Sequence, residues 1–278
     1  MSNDAPIGLC LCTILTWGSS NFLGGYASRR ANPFVLSAVS HLAALAFMIL
    51  VASAMHVPFP SRHALLWAFG AGLAGGLALA ILYGSLSSGR MGLAAPVVAV
   101  LSSGIPAVVT MVREGSPGAT RLIGFALAIL GVSLISWTED KTDNKALRLA
   151  VLAGCCFAAY SLAIKQAGPG SAMWIEVYSR TAAFLLTAVI AFAGRKTDRL
   201  DQRAGLCAAT AGLLDTTGSV AFVRASQLER LDIVVVLSSL YPAITVLLAV
   251  LFLRERLTRW KALGVCAAIV ALPLIAGQ

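Results

Sequence analysis

The chain has 278 residues, of which 58% are apolar and only 12% are charged, and its mean hydropathy is +0.84. Soluble chains usually carry about 25% charged residues. The composition therefore argues against a soluble enzyme, a nucleic-acid-binding domain or a disordered chain. The net charge of +9 fits basic loops beside a membrane. We expect an integral, multi-pass protein of the cell (inner or plasma) membrane.

A membrane-spanning helix needs about 20 mostly apolar residues. Ten stretches meet this requirement: 7–26, 33–55, 64–86, 93–112, 120–138, 147–165, 172–194, 204–225, 232–253 and 260–276. The connections between them are too short for a soluble catalytic domain, and long continuous apolar runs disfavour a β-barrel. The sequence thus predicts an all-α polytopic membrane protein with ten transmembrane helices.

The two halves of the chain align at an offset of 140 residues. Glycine and arginine residues recur at this offset: Gly72 and Gly212, Arg90 and Arg230, Gly124 and Gly264. Because each half holds five helices, an odd number, the second half must enter the membrane in the opposite sense. This is the inverted repeat of many secondary transporters, which bind their solute between the halves. We predict a first repeat over 1–139, a linker over 140–145 and a second repeat over 146–278, around a central cavity.

Several motifs resemble those of EamA-type transporters, members of the drug/metabolite transporter (DMT) superfamily. The first is Trp17–Gly25, similar to the family's first-helix motif; the others are Ala94–Pro96, Arg113–Pro117, Ser238–Thr245 and Arg254–Thr258, with Arg254 where the family usually has Gly. The resemblance covers both halves and implies ten helices around a central cavity that moves a small solute or metabolite by alternating access. It implies no particular substrate. The first-helix glutamate with which small multidrug relatives couple protons has no counterpart here.

Three charged residues fall inside predicted helices: Glu176, Arg180 and Asp215. A charge at mid-helix costs about 2.5–3.5 kcal/mol on insertion scales, so these side chains should face protein or water. Glu176 and Arg180 are four residues apart and share a helix face. At 1.5 Å per residue, Arg180 and Asp215 lie about 21 Å and 18 Å from the connection between their antiparallel helices, so they are placed to pair. Two interpretations stay open: a pair that only locks the helices, or a substrate anchor or proton-linked switch at Asp215 or Glu176.

Polar and aromatic residues complete the candidate site for substrate binding or coupling: Trp17, Asn21, His41, Ser102, Ser103, Tyr160, Ser238, Ser239 and Tyr241. Pro242 beside Tyr241 removes one helix hydrogen bond and favours a kink. The alternatives are hydroxyls that bond their own helix carbonyls, a histidine that only packs, and aromatic rings that anchor the protein at the membrane interface.

We expect a secondary active transporter, not an enzyme, that moves a small metabolite or amphipathic solute by alternating access, with proton coupling as an option. The alternative is an uncoupled facilitator or channel. The expected partners are the solute, protons and the lipid bilayer, with the chain a monomer or a weak homodimer. No nucleotide loop is present, and the six cysteines follow no metal-binding or disulfide pattern. Hence we expect no nucleic acid, nucleotide, metal or cofactor.

Two arguments on orientation conflict. Connections on one side of the predicted membrane carry 14 Lys and Arg residues, and connections on the other side carry 6. Positively charged loops favour the cytoplasm, which predicts that both termini lie outside. The family resemblance implies that both lie inside. We follow the charge count.

Overall fold

The computed structural model of the chain describes residues 4–28, 31–87, 94–135, 144–194, 201–253 and 258–276. Every regular element in these ranges is an α-helix, as predicted. The helices are α1 Asp4–Ser28, α2 Pro33–Ala54, α3 Arg62–Ser87, α4 Ala94–Glu114, α5 Ala119–Ile135, α6 Asn144–Ala167, α7 Ala172–Ala193, α8 Gln202–Leu228, α9 Leu231–Ser238, α10 Tyr241–Leu253 and α11 Arg259–Ala276.

The helices have the length and composition that a membrane requires. Nine described segments are long and apolar enough to cross a bilayer, and α5 is a shorter apolar helix of 17 residues. Large apolar side chains point outward, and Val112 and Phe192 are each 81% exposed. Such exposure of apolar side chains is typical of a surface that contacts lipid. The chain is therefore a polytopic, all-helical membrane protein.

The ninth predicted span differs from the expectation of one kinked helix. It consists of two helices, α9 and α10, separated by Ser239 and Leu240. Pro242 explains the interruption, because it lacks the N–H that would bond the carbonyl of Ser238. All eight residues of α9 are buried, whereas none of α10 is fully buried. The buried α9 therefore belongs to the protein interior, and α10 lies toward its surface.

Helices of the two halves pack against each other at glycine residues. A Cβ atom on Gly72 of α3 would collide with the backbone of Ser179 in α7, and one on Gly212 of α8 would collide with the backbone of Ser40 in α2. Small residues allow such close helix approach. The central cavity lies where these helices meet.

A second pair of contacts also follows the offset of 140 residues. Gly124 of α5 faces Ile275 of α11, and Gly264 of α11 faces Ile135 of α5. These reciprocal contacts support the predicted inverted repeat. The division into repeats over 1–139 and 146–278 stays a prediction, and most of the predicted linker, residues 140–143, lies outside the described residues.

Candidate functional site

A central cavity lies among the helices that carry the predicted site residues. The centre of a water-sized sphere can move through about 100 Å³ of it. Since one buried water needs roughly 10–15 Å³ by that measure, the cavity has room for several waters or one small solute. Eleven of the twelve predicted site residues line it: Trp17, Asn21, His41, Ser102, Ser103, Tyr160, Arg180, Asp215, Ser238, Ser239 and Tyr241.

The twelfth predicted residue, Glu176, lies behind the cavity wall. Its side chain is fully buried, and one carboxylate oxygen accepts a hydrogen bond from Nε of Arg180, one helical turn further along α7. Its second carboxylate oxygen is buried without a hydrogen-bond partner among the described groups. Glu176 therefore influences the cavity through Arg180 and does not reach it directly.

Arg180 is the centre of a buried polar network. Its Nη1 lies 2.6 Å from Oδ2 of Asp215 in α8, and its Nη2 donates to the hydroxyl of Ser219 at 2.7 Å. The pairing of Arg180 with Asp215, expected from their similar depths along α7 and α8, is thus present. Arg180 is only 6% exposed, so the ion pairs are largely shielded from water.

His41 of α2 contacts the same guanidinium. Its Nδ1 lies 3.3 Å from Nη1 of Arg180. Because a guanidinium has no acceptor, Nδ1 must accept this hydrogen bond, and the ring carries its proton on Nε2. That Nε2 is buried without a described partner. His41 thus links the first half of the chain to the charged network in the second half.

Aromatic rings form a wall of the cavity next to Asp215. The indole N–H of Trp17 lies 3.2 Å from both the backbone carbonyl of Asp215 and the hydroxyl of Ser219. The ring of Trp17 lies 5.3 Å from Phe222 and meets Tyr241 edge-on at 6.1 Å. Trp17 therefore serves as a cavity wall, and the alternative of an interfacial anchor does not apply to it.

The smaller polar side chains bond mainly to their own helices, as the alternative interpretation expected. Ser102 and Ser103 both donate to the carbonyl of Ala99, and the amide of Asn21 donates to the carbonyl of Trp17. Ser239 donates to the carbonyl of Val236. Their oxygen atoms can still accept hydrogen bonds from a solute in the cavity.

Two lining residues were not predicted as site residues although the sequence contains a signal for each. Ser219 shares the helix face of Asp215, one turn along α8, and its hydroxyl is the common partner of Arg180 and Trp17. Ser179 adjoins Arg180 and lines the cavity where Gly72 approaches α7. Helical spacing places both on inward faces, but their partners depend on how the helices pack.

On the side of the cavity where α4, α6 and α8 end, polar contacts tie the connections together. Arg230, between α8 and α9, pairs with the fully buried Asp232 at 2.9 Å and donates to the backbone carbonyls of Glu114 and Gly115. Lys165 donates to the carbonyls of Ser226 and Glu229. We name the pair Arg230–Asp232, with the carbonyls of Glu114 and Gly115 that Arg230 binds, the polar lock.

The described residues offer little that could hold a metal ion. No three His, Cys, Asp or Glu side chains among them are grouped closely enough to do so. The six cysteines have free thiols, and Cys10 is the one that is buried.

Comparisons with known proteins agree with the fold. Residues 144–277 match the model of the EamA-like transporter family. No curated protein matches the chain in sequence. One solved structure, described only as the crystal structure of a protein, is similar over 98% of this chain and 96% of that chain, with a TM-score of 0.78 and 16% sequence identity. At that identity the likeness shows the fold alone.

Proposed function

We propose that this chain, whose residues 144–277 match the model of the EamA-like transporter family, is a secondary active transporter that moves a small metabolite or amphipathic solute by alternating access, coupled to protons. The observation that carries the proposal is the buried ionisable cluster Glu176–Arg180–Asp215 beside a solute-sized cavity. Ionisable residues within membrane spans are costly and usually mark a substrate or ion pathway.

Polar contacts at one end of the helix bundle are consistent with alternating access. We infer that the polar lock and the buried helix α9 separate the cavity from one face of the membrane. In alternating access the solute site faces each side in turn, because one group of helices moves against the other. The glycine contacts of α3 with α7 and of α2 with α8 bring the two halves into close contact, and we expect the halves to move along these contacts.

Proton coupling is supported by the presence of two carboxyl groups beside a single guanidinium in the site. Two carboxylates, Glu176 and Asp215, share the guanidinium of Arg180. The other titratable side chains that line the cavity near them are His41 of α2, Tyr160 of α6 and Tyr241 of α10. Protonation of Asp215 would weaken its pairing with Arg180 and loosen the contact between α7 and α8.

Transport by reconstituted protein tests the proposal. Proteoliposomes with an imposed pH gradient are offered a panel of labelled amino acids, amines and organic acids, and accumulation above the external concentration is measured. We expect accumulation of at least one solute by the wild type and its loss in Asp215→Asn and Glu176→Gln. Asp201→Asn is the matched control, because Asp201 is exposed at the start of α8 and its side chain makes no capping bond.

An uncoupled facilitator or channel is the second candidate, since it would use the same cavity. A facilitator equilibrates its solute and never concentrates it. Equal internal and external concentrations at every imposed pH gradient, with unchanged rates in Asp215→Asn, would establish that alternative and overturn the coupled mechanism.

A further inference from the structure

The guanidinium of Arg180 has few donors left for a solute. A guanidinium has five N–H groups. Nε binds Glu176, Nη1 contacts both Asp215 and His41, and Nη2 binds Ser219. Arg180 is also the one Lys or Arg among the residues that line the cavity in the described part of the chain. An anionic solute that binds the guanidinium through two N–H groups would therefore have to displace an existing partner of Arg180.

The site holds more carboxyl groups than basic groups. The carboxyl groups of Glu176 and Asp215 both contact the guanidinium of Arg180. Asp215 is the one that lines the cavity, with 17% of its side chain exposed, whereas Glu176 is fully buried. The carboxyl group that a solute can reach is thus that of Asp215.

The surroundings of Asp215 also suit a positive group. Trp17, Tyr241 and Phe222 present aromatic rings beside it, and the faces of aromatic rings attract cations, organic ammonium groups in particular. None of these rings adds a formal charge at neutral pH. They would enclose an ammonium group and its alkyl substituents.

A third observation is independent of these side chains. Helix α9 ends inside the protein at Ser238, and both Ser238 and Ser239 line the cavity. The C-terminal end of a helix carries a partial negative charge. Because residue 242 is proline, the carbonyl of Ser238 has no amide donor four residues further on. Broken helices of transporters offer such carbonyls to cations.

We propose that the solute of the central cavity is a small organic cation, bound between the carboxylate of Asp215, the aromatic rings of Trp17 and Tyr241, and the carbonyl end of α9. This inference rests on the proposed transport function and adds the charge class of its solute. The ammonium group would pair with the carboxylate of Asp215, and the cavity hydroxyls would bind any polar group that the solute carries.

Three probes of equal shape and different charge test the inference by binding alone. They are choline, the neutral 3,3-dimethylbutan-1-ol and the anionic 3,3-dimethylbutanoate, each added to the purified full-length protein in detergent at constant ionic strength. A ligand of the native state raises the apparent melting temperature. We expect choline to raise it by about 2–4 °C at saturation, and the neutral and anionic probes to leave it unchanged.

Variants locate the bound cation. Asp215→Asn should remove the shift caused by choline, whereas Asp201→Asn on the same helix should retain it. If Asp215→Asn does not fold, Trp17→Phe is the second variant, and it should weaken the choline shift without removing a charge. Absence of a choline shift in the wild type, an equal shift with the neutral or anionic probe, or a full shift in Asp215→Asn would each overturn the inference.

Binding and transport fail separately in these experiments. A choline shift without accumulation of any solute would retain the cation site and overturn the proposed transporter. Accumulation of a neutral or anionic solute, with no choline shift, would retain the transporter and overturn the cation site.

Discussion

Arg180 of α7 and Asp215 of α8 form an ion pair in the wall of the central cavity, with Nη1 and Oδ2 2.6 Å apart. The same guanidinium binds Glu176 on its own helix. One guanidinium therefore pairs with two carboxyl groups that lie in different positions, one facing the cavity and one behind its wall. The three residues differ in what their loss would do.

Loss of the guanidinium should be the most damaging change. Arg180→Gln leaves two carboxylates unpaired, and breaking a buried ion pair costs about 3–5 kcal/mol. We expect a large fall in the melting temperature of the purified protein. Adding Glu176→Gln to Arg180→Gln removes one of the unpaired charges and should recover part of the loss. A single variant as stable as the wild type would contradict the central role of Arg180.

The charged centre of the site could be predicted from the sequence, because its geometry follows from the spacing of residues within single helices. Helical rise gave Arg180 and Asp215 similar depths, and the spacing of four residues put Glu176 on the face of Arg180. The same rules could not show that Glu176 lies behind the wall. That position depends on how α7 packs against its neighbours, and the spacing of residues in one helix does not determine this packing.

The interruption of the ninth span shows the same limit. Pro242 predicted a loosened turn, but the separation into α9 and α10 also requires the burial of every residue of α9. Likewise, Ser219 was on the predicted inward face of α8, but its shared bonds to Arg180 and Trp17 join three helices. Contacts that involve several helices follow from tertiary packing. Spacing along the chain identifies only the residues that could make them.

Close packing of α3 on α7 predicts opposite effects at two glycines of one helix. Gly72→Ala would drive a methyl group into the backbone of Ser179, so the helices must separate. We expect loss of folded protein, measured by size-exclusion chromatography in detergent. Gly70 has no atom near its missing Cβ, and Gly70→Ala should stabilise the protein slightly because alanine favours the helix by about 1 kcal/mol. Equal yields of the two variants would refute this packing.

The polar lock predicts that one arginine holds the cavity closed. Arg230→Gln removes the partner of the buried Asp232 and the bonds to Glu114 and Gly115. We expect the closed state to lose about 1–2 kcal/mol, because Arg230 is partly exposed and its pair is weaker than a fully buried one. The population of the open state should then rise about 5- to 30-fold.

The buried thiol of Cys10 reports this opening. It lies beside Ile233 and Leu237 of α9, so its rate of reaction with a maleimide, measured by mass spectrometry, should increase in Arg230→Gln. Arg224→Gln is the control, since Arg224 is exposed on α8 and bonds only Gln227. Equal rates in the wild type and in Arg230→Gln would show that the lock does not limit opening.

The broken ninth span predicts that a proline is needed for movement. Pro242→Ala supplies the N–H that the carbonyl of Ser238 lacks, so α9 and α10 can join into one helix. One additional hydrogen bond should stabilise the protein by about 1 kcal/mol, and the rate of solute uptake should fall because the joined helix bends less readily. Pro273→Ala restores an amide within α11, and neither Pro273 nor any other residue of that helix lines the cavity. Pro273→Ala should therefore raise the melting temperature without slowing uptake. A similar decrease of uptake in Pro242→Ala and Pro273→Ala would assign the effect to rigidity of the whole helix bundle instead of the break at Ser239.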